Sequence, residues 1–387
     1  MLSCQKSLFN FPEEITYLNC AYMSPQLKQL DMLGREMVGR KSQPWSIKPE
    51  DFFKPSEELK TLFARLINTP EKDRIAVIPS ASYGLATVAR NLKIKPGQHI
   101  VVAEDQFPSN YYAWQRVVAE NGAELRVVKA PDGPNRMLAW NEAILNAIDA
   151  NTVMVALGNV HWADGTLYDL KRIRARTDEF GALLVIDGTQ SVGALPLDVS
   201  EVPVDALVCG GYKWLMGPYS LGVAYYGPRF DGGVPIEENW INRHNSEDFS
   251  SLISYQDEYK PLAGRYMMGE QSNFVLAPML SAAITQLLDW GVANIQEYCQ
   301  RIGANALEDL REMGCQIEPQ ANLAHHLVGV RLPAEMDMER LQTEFKKRRV
   351  YVSTRGNAIR VAPNVYNTSD DFDVLLDCFR AVGKLKS

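Results

Sequence analysis

Residues 185–218 read VIDGTQSVGALPLDVSEVPVDALVCGGYKWLMGP, a stretch in which apolar strands run into charge. Leu183-Leu184-Val185-Ile186 ends in Asp187, with Gln190 three residues further on. Asp205-Ala206-Leu207-Val208-Cys209 leads into Gly210-Gly211-Tyr212-Lys213. A carboxylate closing an apolar strand is costly unless it is paired. A lysine at the end of a buried strand has its charged form disfavoured by desolvation, which suits a nucleophile and base. The glycines beside it let the backbone come close to a ligand. Taken singly, each residue also has a plainer reading: Lys213 as an exposed turn lysine, Asp187 as a cap for the turn that follows.

Taken together, the acid and the lysine are what a pyridoxal 5'-phosphate (PLP) enzyme needs. The acid keeps the pyridine nitrogen protonated, and the lysine forms the Schiff base and then carries protons. The pattern D-G-x-Q-S-x-G-x-x-P-L-D from Asp187 to Asp198, followed by Gly211 and Lys213, resembles the class V aminotransferase superfamily of fold-type I PLP enzymes. That superfamily includes cysteine desulfurases, kynureninases and isopenicillin N epimerase-like proteins. The resemblance implies a homodimer whose subunits share the active site.

The bulk composition agrees with an enzyme. The chain has 387 residues, more than one small domain needs, with 46% hydrophobic and 22% charged residues. A net charge of −7 favours neither nucleic acid nor an anionic membrane as a partner. None of the six cysteines sits in a CxxC or zinc-like spacing, so a reduced, cytoplasmic protein without a metal site is expected. The first residues hold no long apolar run, so no signal peptide is read, and no stretch is long and apolar enough to span a membrane.

From Arg74 the pattern alternates short Val/Ile-rich strands with helices. Strands are expected at Ile75–Ile78, His99–Ala103, Leu125–Val128 and Thr152–Leu157, each followed by a helical pattern. Strands without polar alternation indicate a sheet covered on both faces, hence a doubly wound α/β domain. Residues 231–265 read as a loop-rich insertion near the active site or a dimer face. Beyond it come helical runs at Phe274–Trp290 and Asn294–Met313, and strands at Val350–Ser353 and Ala358–Val361. A last helix is expected over Asp370–Lys384. The expected division is a large PLP-binding domain over 20–275 and a small α/β domain from 1–19 and 276–387.

Several further residues take roles from the resemblance, each beside a plainer alternative. Gln190 donates to the cofactor's phenolate oxygen, or caps the turn. Ala81 and Ser82, at a helix start after a strand, hold the phosphate, or Ser simply caps the helix. Tyr212 points its hydroxyl towards the phosphate. Phe107 stacks on the cofactor ring where desulfurases carry a histidine, or packs in the core. Trp162 and His161, past the end of a strand, contact cofactor or substrate, or His161, as a lone histidine, is structural. Ser272, flanked by Gln271 and Asn273, reaches the phosphate of the other subunit, or caps the long helix. Asn19 and Ala21 border the substrate, or form an edge strand. Arg360 grips the substrate's α-carboxylate, or forms an internal salt bridge; Arg355 is a second candidate.

One departure stands out. Desulfurases carry a catalytic cysteine on a loop between positions like Arg355 and Arg360, and here that interval is Gly356-Asn357-Ala358-Ile359. Desulfurase activity is therefore not expected. The expectation is a PLP-dependent transferase acting on a small amino acid, an aminotransferase first. An epimerase or lyase, or a silent scaffold of the same fold, is the alternative.

Overall fold

The computed structural model describes residues 1–133 and 135–383. The first strand, β1 (Thr16–Tyr17), precedes α1 (Lys28–Arg40) and α2 (Lys54–Leu66). The alternating region holds β2 (Ile75–Ile78), α3 (Ala81–Asn91), β3 (His99–Ala103), α4 (Ser109–Asn121), β4 (Glu124–Val128) and α5 (Arg136–Ala147). It continues through β5 (Thr152–Gly158), α6 (Leu170–Phe180), β6 (Leu183–Asp187), β7 (Ala206–Gly210) and β8 (Gly222–Tyr226). The C-terminal part holds α7 (Leu276–Trp290), α8 (Val292–Glu312), β9 (Val328–Arg331), α9 (Met338–Lys347), β10 (Val350–Tyr351), β11 (Ser353–Arg355), β12 (Ala358–Val361) and α10 (Ser369–Gly383). Of the expected last helix, Lys384 lies outside the described residues.

Seven strands form the central sheet in the order β2-β8-β7-β6-β5-β3-β4. Every residue of β2, β3, β7 and β8 is buried, as unbroken apolar strands covered on both faces require. All neighbours pair in parallel except β8, which runs antiparallel to β2 and β7. The sequence reading contains no strand at β8. Its five residues have no helix before them, so the strand–helix rhythm gives no cue for a reversed strand between two parallel ones. The fold is thus α/β with a mainly parallel sheet. The C-terminal ends of β3, β5, β6 and β7 share one edge, where ligands bind in open parallel sheets.

A smaller antiparallel sheet, β11-β12-β9, and the parallel pair β1–β10 complete the topology. The run Val350–Ser353 therefore splits, its two ends pairing with different partners. Two hydrophobic cores are present. α7 belongs to the large one, packing on α1 and α2, and so do Ile295 and Cys299 of α8; Ala306, Leu307 and Leu310 further along α8 belong to the small one. The packing boundary thus falls within α8, whereas the sequence reading divides the chain before α7. The N-terminus serves both cores, with Phe9 in the large and Leu18 in the small. No single helix is long and apolar enough to cross a membrane among the described residues.

Candidate active site

At the C-terminal edge of the sheet lies a cavity of about 380 Å³. Its walls come from the residues that follow β2, β3, β5, β6 and β7, and from the loop that enters β8. Lys213 leaves β7 on a tight turn. Gly211 is required there, because a Cβ would sit 2.6 Å from the Leu221 carbonyl oxygen. Gly193 lets the chain after β6 close on the same turn: its φ is +102°, and a Cβ would lie 2.3 Å from the Trp214 carbonyl oxygen.

Lys213 is 7% exposed and donates no hydrogen bond among the described residues. Its Nζ stands 5.5 Å from the centre of the Phe107 ring and 5.4 Å from that of Tyr212. Burial lowers its pKa to about 8; Asp187 works against that shift, and Arg360 and Arg355 add to it. Asp187 is buried at the end of β6, and burial raises its carboxyl above the usual range. Its Oδ1 accepts from the Thr189 amide at 3.0 Å, and it forms no ion pair among the described residues. A buried acid held by Thr189 alone at one place, and a buried amine with a depressed pKa at another, leave charge unanswered.

The remaining wall positions are held by neighbours. Gln190 donates to the Ala21 carbonyl at 3.1 Å and accepts from Trp214 Nε1 at 3.0 Å. Behind it, His326 Nε2 contacts the Gln190 carbonyl at 2.8 Å, while Gln296 contacts its Nδ1 at 2.7 Å. Phe107 meets Trp162 edge-on, ring centres 5.4 Å apart. Trp162 is tied to the Asp105 carbonyl at 2.6 Å. Tyr212 packs on Tyr219, and its carbonyl accepts from the Ser24 amide at 3.1 Å, which fastens the N-terminal segment to the lysine turn. At the start of α3, Ser80 is the N-cap, accepting from the Tyr83 amide at 3.2 Å, and its hydroxyl lies 2.8 Å from that of Ser82.

Of the residues singled out from the sequence, Lys213, Asp187, Gln190, Ala81, Ser82, Phe107, Tyr212 and Trp162 all line this one cavity. The others stand elsewhere. Arg360 is only 1% exposed, behind Trp162, and donates through Nη1 to the Trp162 carbonyl at 2.7 Å and through Nη2 to Ser353 Oγ at 3.4 Å. Burial first, and Arg355 second, lower its pKa to about 10. Asn19 accepts from the same Ser353 hydroxyl at 2.8 Å, so it supports Arg360 and is not on the wall. Ala21 contributes only the carbonyl that holds Gln190. Ser272 is buried against Ser56, 3.0 Å between hydroxyls, and Asn273 caps α7 by accepting from Leu276 at 2.8 Å.

His161 is a correction. It is buried, with Nδ1 3.0 Å from Asp164 Oδ1 and Nε2 3.2 Å from the Asp105 carbonyl, so neither nitrogen is free for substrate in the Lys213 cavity. A histidine beside an acid at i+3 in a tight turn satisfies itself locally. Residues 231–265 contribute no wall residue to this cavity either; short turns and an aromatic cluster of Phe52, Phe53, Trp240 and Phe249 hold them. Sequence reading missed Thr189, which holds Asp187 and whose hydroxyl accepts from the Gly210 amide at 3.1 Å. It also missed the Tyr219–Leu221 wall and the His326 support. Thr189 lies between two chosen residues and was legible; the other two depend on β8 and on long-range packing.

The residues present fit PLP. The buried, nearly unpaired Asp187 suits a protonated ring nitrogen, Lys213 suits the aldehyde carbon, and the Ser-rich start of α3 suits a phosphate. The turn joining β11 and β12 carries no cysteine. Cys20, near Lys213, is fully buried, accepts from Asn364 at 3.4 Å, and is pushed up to about 12 by burial, so it is no thiolate nucleophile.

A family model described as aminotransferase class-V matches residues 47–369. An uncharacterised aminotransferase of Bacillus subtilis, YcbU, is 29% identical over 317 residues, covering 81% of this chain and 80% of that one. Among solved structures, the apo cysteine desulfurase of Thermococcus onnurineus NA1 superposes with a TM-score of 0.84 at 20% identity, over 100% of both chains. A C-DES lysine mutant with glycine covalently linked to the PLP cofactor superposes with a TM-score of 0.83 at 17% identity, over 97% of this chain and 98% of that one. At these identities the superpositions speak for the fold.

Proposed function

The chain belongs to the aminotransferase class-V family, whose cofactor is PLP, and from that premise we propose that it is an aminotransferase acting on a small amino acid. The observation that carries this reading is that the cavity is lined by a buried amine, Lys213, whose pKa burial lowers to about 8. Tyr212, whose ring lies beside Lys213, is shifted upward by burial and serves poorly as a base. Transamination needs one proton carrier, because the same group takes the proton from Cα and returns it elsewhere. The absence of a cysteine on the turn after Arg355 argues against the desulfurase branch, and the match to YcbU supports the aminotransferase one.

When bound, PLP supplies the electron sink that stabilises charge developing at Cα. The protein's own residues do the rest. Asp187 keeps a proton on the ring nitrogen. Phe107 and Trp162 form an apolar wall that excludes water. Lys213, with a neutral Nζ, would take the Cα proton. Arg360 supplies positive charge for the α-carboxylate. The homodimer expected from the resemblance forms part of the proposal; Ser272 takes no part in it, because its buried hydroxyl is held by Ser56.

The test is the half-reaction. Mixing the PLP-loaded protein with single amino acids should bleach its visible band and release the matching 2-oxo acid, and adding a 2-oxo acid should restore the band. Release of ammonia, or inversion of the amino acid without bleaching, would replace this reading with the lyase or the epimerase.

A further inference from the structure

Two guanidiniums flank Trp162, and neither has a carboxylate partner among the described residues. Arg360 leaves its buried Nε without an acceptor. Arg355 lies at the end of β11, beside the two-residue Gly356–Asn357 turn, with its guanidinium carbon 5.2 Å from the centre of the Trp162 ring. Its Nη1 donates to the Thr354 carbonyl at 2.7 Å, and its buried Nε also lacks an acceptor. Both cations depress Lys213, and Arg355 depresses Arg360. Three neighbouring cations and one carboxylate, Asp187, form a cluster short of negative charge.

A substrate α-carboxylate answers one of these charges. The other points beyond Trp162. There a second cavity of about 650 Å³ adjoins the first, sharing Gln106 and Trp162 with it and lined in part by Arg355. Its other arginines are spent: Arg136 and Arg331 both bind Asp164. Its remaining acids leave Arg355 unanswered. Glu104 accepts from the Ala130 amide at 2.9 Å, while Asp105 and Asp132 are exposed, where solvent screens them.

We propose that Arg355 reads a second anionic group at the end of the substrate's side chain, so that the substrate is an amino acid with an acidic side chain and not a neutral one. Arg360, behind Trp162, supplies positive charge for the α-carboxylate, and the side chain crosses the edge of Trp162 into the second cavity. This assignment rests on the amino-acid reading above and narrows it to amino dicarboxylates and their isosteric anions. A planar guanidinium fork, stacked on an indole and free of internal carboxylates, is suited to bidentate recognition of such a group.

The experiment titrates the PLP-loaded protein with glutamate and glutamine, and with aspartate and asparagine, reading the visible band for apparent affinity. Each acid should bind about tenfold or more tightly than its amide, as one charge-assisted pair provides. In Arg355→Gln that ratio should fall towards one, and Arg355→Lys should recover part of it. Equal affinity of acid and amide in the native protein overturns the proposal while leaving the aminotransferase reading intact. An acid preference that survives in Arg355→Gln overturns it as well. If no amino acid perturbs the band, both readings fall together.

Discussion

Two charged clusters adjoin Trp162, built from similar residues and behaving in opposite ways. On one side, Asp164 gathers His161, Thr166, Arg136 and Arg331 around a single buried carboxylate. Burial pushes that carboxyl upward, yet the hydrogen bond and charge of His161, with help from Arg331 and Thr166, hold it far below the usual range. Its acceptors are used and its charge is answered. On the other side, Lys213, Asp187, Arg360 and Arg355 are also largely withdrawn from water, but the chain supplies no ion pair among them. The lysine and Arg360 are shifted towards their neutral forms, and so is the acid. Complete satisfaction marks a cluster that serves the fold. Systematic dissatisfaction marks one that serves a ligand.

That contrast gives opposite signs to substitutions of equal size. Asp164→Ala leaves His161 and two arginines facing a hole, and should cost about 3–5 kcal/mol in urea unfolding. A loss below about 1 kcal/mol would break the claim that this cluster is structural. Arg360→Met removes a buried cation with no carboxylate partner, so the cofactor-free protein should be equally stable or gain stability, while the KM for amino acids rises about tenfold or more. A large loss of stability with unchanged KM would move Arg360 to the structural side. Lys213→Met should also stabilise the cofactor-free protein below pH 8, by about 1–3 kcal/mol.

The sign of that last effect follows from the lysine's pKa. Folding lowers it from its ordinary value to about 8, so the unfolded chain holds the proton more firmly between the two. Below pH 8 the folded protein bears a desolvated charge; above it, that burden lifts as the lysine loses its proton. Stability should therefore rise as pH increases through the interval above 8. The same titration governs reactivity. The rate at which the cofactor-free protein captures PLP should climb about tenfold per pH unit below 8 and level off above it. A rate flat between pH 6 and 9 would separate Lys213 from the capture step.

Much of this was legible in the sequence because the decisive residues sit at strand ends within short stretches. Asp187 and Lys213 each close an apolar run, and the parallel sheet brings such ends to one edge. Ala81, Phe107 and Trp162 reach the cavity for the same reason. Legibility ended where geometry depends on chain segments far apart. The histidine at 161 looked like a ligand because its Asp164 partner sits in a turn that only the structure closes. β8 escaped because a reversed strand has no place in the strand–helix rhythm. The unpaired state of Arg355 and Arg360 could not be read at all, since it depends on which acids the fold keeps away.

The most direct test of the account is the visible absorption spectrum of the purified protein after incubation with PLP, beside Lys213→Ala treated identically. The native protein should show a visible band distinct from free PLP that survives dialysis, and Lys213→Ala should lose it. A native protein that stays colourless, or a variant with the same stable band, would contradict the assignment of Lys213 as the residue around which the site is built.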